Sequence, residues 1–338
     1  MSQFVGAVEV VGSKAREGTF GEGPGLLQRK RAASLHFAEL RHELEHERFP
    51  RHLSKINSSG GTRLAPSACA MSNPYQFNEN EVKEVGNGVW MRVAVDNIAW
   101  YDLGRGSAVI DALEDPTQAD VVRGLIKETT GQDLKYVVTT HWDKDHIACN
   151  PQWKQEGAPV IAHQSCAQSA GDWEGRPDIT YPDTCTLQGE GDRKIEMQWV
   201  GGTHTPWDTI LYFPAARVLH IADLFGWGLI PCKPTPQKVE RLREILTIIQ
   251  SYEAEAIICG HGPSTDQSCI ARFESYFEEM LEKVPPLVAE GKSDEEIVEL
   301  VPPPADMSEW FRFVAWKHAH NIGLIREHYT GAPIHLGT

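Results

Sequence analysis

The chain has no CxxC pair, and its cysteines number an odd seven, scattered at positions 69, 149, 166, 185, 232, 259 and 269. That pattern excludes a disulfide framework and points to reduced thiols in a cytoplasmic protein. No apolar run approaches the roughly 20 residues needed to cross a bilayer. The N-terminus lacks the basic-then-apolar pattern of a secretory signal. Neither a membrane partner nor export is therefore expected. Basic charge is scarce: 32 Lys and Arg stand against 47 Asp and Glu, a formal net charge of -15. Neutralising phosphates requires cations, so no nucleic-acid partner is expected either. There is no internal repeat. What the chain does have is a hydrophobic content of 41%, enough for a sizeable core, and ten tryptophans, most of which are expected to serve in packing.

The first 70 residues differ from the rest. They carry ten Lys/Arg and seven Asp/Glu, leaving 22 basic and 40 acidic residues for the remainder. Residues 33–53 have helical composition until Pro50, and "SKINSSGGTRLAPSA" reads as a linker. The expected division is an N-terminal extension over 1–70, partly helical or flexible; a catalytic domain over 71–285, opening at Met71; and C-terminal helices over 286–338 packed on the same domain.

From residue 82 the pattern becomes periodic. "GVWMRVAV", "NIAWYDL" and "SAVIDAL" read as sequential antiparallel strands separated by turn signals. "TQADVVRGLIKETTG" reads as an amphipathic helix closed by Gly131. "LKYVVTT", "APVIAH", "KIEMQWVG", "DTILYFPA", "RVLHIAD" and "AEAIICG" read as further strands. Helices are expected over "PQKVERLREILTIIQSY", "CIARFESYFEEMLEKV" and "SDEEIVELV", then along "MSEWFRFVAWKHAHNIGLIREHY" with an apolar face of Trp310, Phe311, Phe313, Val314, Trp316 and Ile322. That order of elements suits two packed sheets with helices outside.

The chemistry concentrates at strand ends. "VVTTHWDKDHIACN" puts His141, Asp143, Asp145 and His146 within six positions after a β-branched run. "GGTHTPWD" puts His204 after a strand, "IADLFG" does the same for Asp223, and "CGHG" for His261. Imidazole and carboxylate together suit zinc, and open positions leave room for water. Lys144 is expected to point outward, and Trp142 to wall a pocket or pack. Asp208 is expected to hydrogen-bond behind the ligands, and Trp207 and Trp227 either to line an apolar mouth or to pack. Single histidines such as His163 and His220 are expected to be structural. His318 and His320 do not share a helical face, so no second metal site is expected there.

"THWDKDH", "GGTHTPWD", "IADLFG" and "CGHG", in this order, resemble the metallo-β-lactamase superfamily over roughly residues 82–265. The resemblance implies an αββα sandwich of two mixed β-sheets flanked by helices. It implies one or two metal ions, most often zinc. His141, Asp143 and His204 would hold the first, Asp145, His146 and His261 the second, and Asp223 would bridge them. It also implies a metal-dependent hydrolase acting through a metal-bound hydroxide, with Asp145 and Asp223 orienting it or handling its proton. Most relatives read HxHxDH where this chain reads HxDxDH. The extra carboxylate lowers the site charge, which should raise the pKa of bound water and tilt preference toward manganese or iron. The expected substrate is a small ester, thioester, lactone or lactam. Two alternatives stay open: a phosphodiesterase or nuclease of the same fold, and a non-hydrolytic metal-binding regulatory protein. A homodimer through the C-terminal helices is compatible with the sequence.

Overall fold

A computed structural model describes residues 4–5, 8–11, 78 and 80–331. The helix expected over 33–53, the linker after it and the start expected at Met71 lie outside the described residues. Within the expected extension, β1 (Phe4–Val5) and β2 (Val8–Val11) form an antiparallel pair. The sequence reading did not anticipate these strands.

The run after residue 80 folds as an antiparallel meander. Its strands are β3 (Glu81–Gly86), β4 (Val89–Val93), β5 (Ile98–Asp102) and β6 (Ser107–Ile110). Helix α1 (Ala119–Thr130) then crosses to β7 (Leu134–Val138), and Gly131 closes it at φ 70 with its N–H on Lys127 O. Helix α2 (Asn150–Gln155) leads to β8 (Val160–His163), and α3 (Gln164–Ala170) to β9 (Ile179–Tyr181). Strands joined through helices can run parallel, and β6 to β9 do so. The first sheet thus runs β3-β4-β5-β6-β7-β8-β9.

The second sheet is built from β10 (Thr184–Gln188), β11 (Lys194–Trp199), β12 (Thr209–Phe213) and β13 (Val218–Ala222), each antiparallel to the next. Helix α4 (Pro236–Gln250) crosses to β14 (Ala256–Cys259), which is parallel to β13. β2 pairs antiparallel with β10 and extends the far edge. Three helices follow: α5 (Gln267–Ala289), α6 (Asp294–Leu300) and α7 (His318–Thr330).

Alternation puts one face of each sheet inward. Met91, Tyr101 and Val138 of the first sheet pack with Met197, Leu211 and Phe213 of the second. The rings of Tyr101 and Phe213 meet edge-on at 5.2 Å. Burying each such side chain contributes about 1.5–3 kcal/mol. The outer face of the first sheet is covered by α1, with Trp100 and Trp153 buried there; α4 and α5 cover the second. This is the αββα sandwich of two mixed sheets. No helix among the described residues is long and apolar enough to cross a membrane.

Two helical expectations need correction. The sequence reading ended α5 at Val284, but the helix continues through Pro285 and Pro286. Proline removes a helix hydrogen bond; here Val284 and Val288, buried in one core, carry the helix across. The long C-terminal helix is broken. Arg312 adopts φ 55, a π-helical turn spans Phe313–Lys317, and only then does α7 begin. The break seats Trp310 beside Phe225 and Trp227, with Phe313 packed on Trp310 and Tyr276, and it leaves Val314 and Trp316 exposed. The single apolar face expected there does not exist.

Candidate metal centre

Four strands of the two sheets end on one edge, and each delivers polar side chains there. β7 leads through Thr139 and Thr140 to His141, and a 3-10 turn over Lys144–His146 follows. Asp143 is the N-cap of that turn. An N-cap aspartate ordinarily spends its carboxylate on backbone N–H groups, but Asp143 makes no such bond. Its Oδ2 turns to His204 Nε2 instead, 3.2 Å away. After β13, Ala222 takes φ 45 and Asp223 follows. After β14 comes Cys259-Gly260-His261.

All seven residues expected at the site come together. Asp143 Oδ2 is 3.8 Å from His141 Nε2. His146 Nε2 is 3.5 Å from Asp145 Oδ2 and 3.6 Å from Asp223 Oδ1. His261 Nε2 is 3.1 Å from Asp223 Oδ2 and 3.6 Å from Asp145 Oδ2. Asp223 Oδ2 also lies 3.4 Å from His204 Nε2 and 3.9 Å from His141 Nε2. Asp223 therefore stands between the two groups. Two donors about 2.1 Å from a tetrahedral zinc lie about 3.4 Å apart, and the observed spacings bracket that value.

The buried polar atoms support the same fit. His141 Nε2, His146 Nε2 and Asp223 Oδ1 are buried without a hydrogen-bond partner among the described residues. Orphaned buried atoms are costly unless something satisfies them, and all three belong to the cluster of metal-capable groups. Their other ring nitrogens are occupied. His141 Nδ1 meets Thr140 Oγ1 at 2.9 Å, His146 Nδ1 meets Asp111 Oδ2 at 2.9 Å, and His261 Nδ1 donates to Val95 O at 2.6 Å. Such outward bonds fix the tautomer that presents Nε2 to a metal. The donor set fits one or two divalent ions.

Charge in the cluster is arranged to match. Burial opposes ionisation of Asp223, but His146 and His261 beside it hold its carboxyl well below the usual range. Burial works against a charged His261 too, yet Asp223 and Asp96 raise it to about 10. His146 and His204 are raised by Asp223, Asp111 and Asp143 in the same way, against burial. His141 goes the other way, down to about 3, through burial and the neighbouring His146. Burial raises Asp145.

Several supporting residues escaped the sequence reading. Asp111, at the end of β6 with φ 63, accepts hydrogen bonds from Thr140 N and Oγ1 and holds His146. Its signal was present: a carboxylate at a strand end, the same rule that singled out Asp223. Asn97 was silent in the sequence. Its Nδ2 donates to Cys259 O and Gly262 O and so sets the His261 turn. A Cβ on Gly260 would overlap Asp223 Oδ1, so that glycine is required for space.

The remaining expectations resolve individually. Lys144 points outward and pairs with Glu114 at 3.4 Å. Asp208 accepts from Thr205 N and Oγ1 and braces the His204 loop. Trp142 packs edge-on with Trp173 at 5.6 Å in a cluster that includes Trp207. Trp227 is fully buried in the core under α5, so it lines no mouth. His163 is structural: it stacks on Trp199 at 4.5 Å with Nε2 on Pro182 O. Cys259 is fully buried.

The comparisons with known proteins agree with this geometry. The family described as the metallo-β-lactamase superfamily matches residues 95–261. A metallo-β-lactamase from Pontibacter korlensis is similar in structure, with TM-score 0.52 and 20% identity, over 59% of this chain and 98% of that one. The TMB-1 enzyme structure is similar at TM-score 0.50 and 17% identity, over 60% of this chain and 99% of that one. At such identities the likeness concerns the fold. A search of curated proteins finds no match. Two mixed sheets, convergent His and Asp groups and the match over residues 95–261 together give the chain the fold of the metallo-β-lactamase superfamily and a likeness to its family model in that region.

Proposed function

We propose that the protein is a metal-dependent hydrolase of a small ester, thioester, lactone or lactam. The observation that carries this reading is the presence of three buried, unpartnered donor atoms, His141 Nε2, His146 Nε2 and Asp223 Oδ1, within one cluster of His and Asp side chains. His141, Asp143 and His204 would hold one ion, and Asp145, His146 and His261 the other, with Asp223 between them. Zinc suits this mixture of imidazole and carboxylate, and the third carboxylate leaves manganese or iron as alternatives. A divalent ion in this place supplies Lewis acidity, activating water and stabilising the negative charge that develops on the substrate.

The chain's own residues divide the remaining work. Asp223 is held ionised by the histidines around it and suits an anchor. Asp145 is raised by burial and keeps an exposed edge, so it is the carboxyl suited to taking and returning a proton. Asp111, Thr140 and Val95 O hold the imidazoles in the ligating orientation. Trp173 and Trp207, partly buried in the cluster around Trp142, would offer an apolar surface to the substrate's body.

Elemental analysis of the wild type beside Asp143→Ala and His261→Ala tests this. Two ions in the wild type and one in each variant are expected. Turnover of a panel of esters, thioesters and lactones should follow, with a phosphodiester as the contrast. A wild type that binds no metal, or that turns over the phosphodiester alone, would refute the reading.

A further inference from the structure

The turn that carries Asp223 is conformationally costly. Ala222, Trp227 and Gly228 all adopt positive φ, at 45, 54 and 87 degrees. Left-handed backbone at non-glycine residues persists only where the surroundings enforce it. Two side chains from the C-terminal segment brace this turn around Trp227. Lys317 Nζ donates to Gly226 O at 2.7 Å and to Phe311 O at 2.7 Å. Asn321 Nδ2 donates to Gly228 O at 2.7 Å, and its Oδ1 accepts from Ile230 N at 2.9 Å. The two residues are four apart, one helical turn, so they reach the same turn side by side.

Both are buried, Lys317 to 4% exposure and Asn321 to none. Lys317 has no carboxylate partner among the described residues; its ammonium faces the Phe311 ring at 4.8 Å and the Trp316 ring at 5.8 Å. Burial makes a charged Lys317 expensive and pushes its amine down to about 7, and plain packing would be served as well by methionine. Asn321 is itself held, because Nδ2 also donates to Tyr276 Oη, which contacts His318 Nδ1. Phe311, the second anchor of Lys317, lies over Gly262 beside His261; a Cβ on Gly262 would come within 2.7 Å of its ring. One ammonium therefore ties together the turns of two candidate ligands.

We propose that Lys317 and Asn321 form a clamp that positions Asp223 for metal binding, so that the segment beyond the family-matched region is part of the centre. This rests on Asp223 being a ligand. The clamp residues touch no substrate; they are positioning residues. They act by removing the alternative conformations that a strained turn would otherwise adopt before metal arrives.

The test uses the full chain, with zinc as probe, in wild type, Lys317→Met and Asp223→Asn. Amide hydrogen exchange is first followed in the metal-free protein. Lys317→Met should speed exchange over residues 222–230 while the strands of both sheets keep their protection. Zinc affinity, by chelator competition, should fall about 10–100-fold in Lys317→Met, the range found for groups that orient ligands. Asp223→Asn should lose more. Should Lys317→Met not fold, Asn321→Ser, which withdraws the donor NH2 from Gly228 O, carries the same two measurements. Unchanged exchange over 222–230 with wild-type zinc affinity would overturn the clamp. If Asp223→Asn loses zinc and the Lys317 variant does not, the clamp alone fails. If Asp223→Asn also binds zinc as wild type does, the reading of the centre fails with it.

Discussion

His146 Nδ1 and Asp111 Oδ2 lie 2.9 Å apart, and neither side chain reaches solvent. The carboxylate can only accept, so the imidazole donates from Nδ1, and once it sheds its second proton the lone pair is on Nε2, the atom that faces the centre. Asp111→Asn keeps the shape but offers an NH2 to Nδ1, which favours the tautomer with its proton on Nε2. Zinc affinity should fall about 10–100-fold with the fold intact. Chelator competition beside far-ultraviolet dichroism checks this, and unchanged affinity would contradict it.

Gly260 makes a sharper case, since its substitution changes no ligand. A methyl at this position would overlap Asp223 Oδ1 and lie 3.1 Å from His146 Cε1. Gly260→Ala should therefore displace Asp223 and lose metal, with a stability cost of about 1–3 kcal/mol, as for other overpacked sites. Elemental analysis and urea denaturation separate the two effects. A Gly260→Ala protein with its full metal content would show that the turn yields freely.

Asp143 sets the charge of the centre. Asp143→His removes one negative charge from beside His141 and His204. The site becomes more positive, which favours loss of a proton from bound water. The acid limb of kcat/KM should therefore move to lower pH in the variant, and the wild type should show the higher pH optimum. A pH–rate profile for both proteins decides it, and an unchanged or upward-moved limb would count against the charge argument.

Metal binding should release protons. Without metal, His261 is raised to about 10, so at neutral pH it carries a proton where a cation would sit, and the acidic neighbours of His146 and His204 shift them in the same direction. Ligands must be deprotonated to bind. Release should be substantial at pH 7.5 and should fall as the pH climbs toward 10. In the metal-free protein the same shift stabilises the fold: the His261 contribution is fully present below pH 6.5 and is lost as pH rises through about 10. Calorimetry of zinc binding in buffers of different ionisation enthalpy measures the release. An enthalpy independent of buffer would refute it.

Much of the centre was legible because its signals are local. His141, Asp143, Asp145 and His146 fall within six positions, and the β-branched run of "LKYVVTT" marks the strand that delivers them. His204, Asp223 and His261 each follow a recognisable strand into a turn. Less was legible where an element had no pattern of its own. β9 is three residues long, and β3 is only half-buried. The C-terminal apolar spacing suggested one helix, but Arg312 at φ 55 breaks it. No spacing rule detects that break, because it is enforced by seating Trp310 and Phe313 in the core.

By itself, then, the sequence determined the strand and helix periods, the residue types at the strand ends and the acidic surplus, since each of these is set by neighbours a few positions away. The tertiary structure decided which atoms meet. Asp111 finds His146 across 35 positions, Asn97 finds Cys259 across 162, and Lys317 finds Gly226 across 91. Such contacts follow from how two twisted sheets and their helices pack. Packing depends on the shapes of all the buried side chains together, and no short window of sequence contains that information.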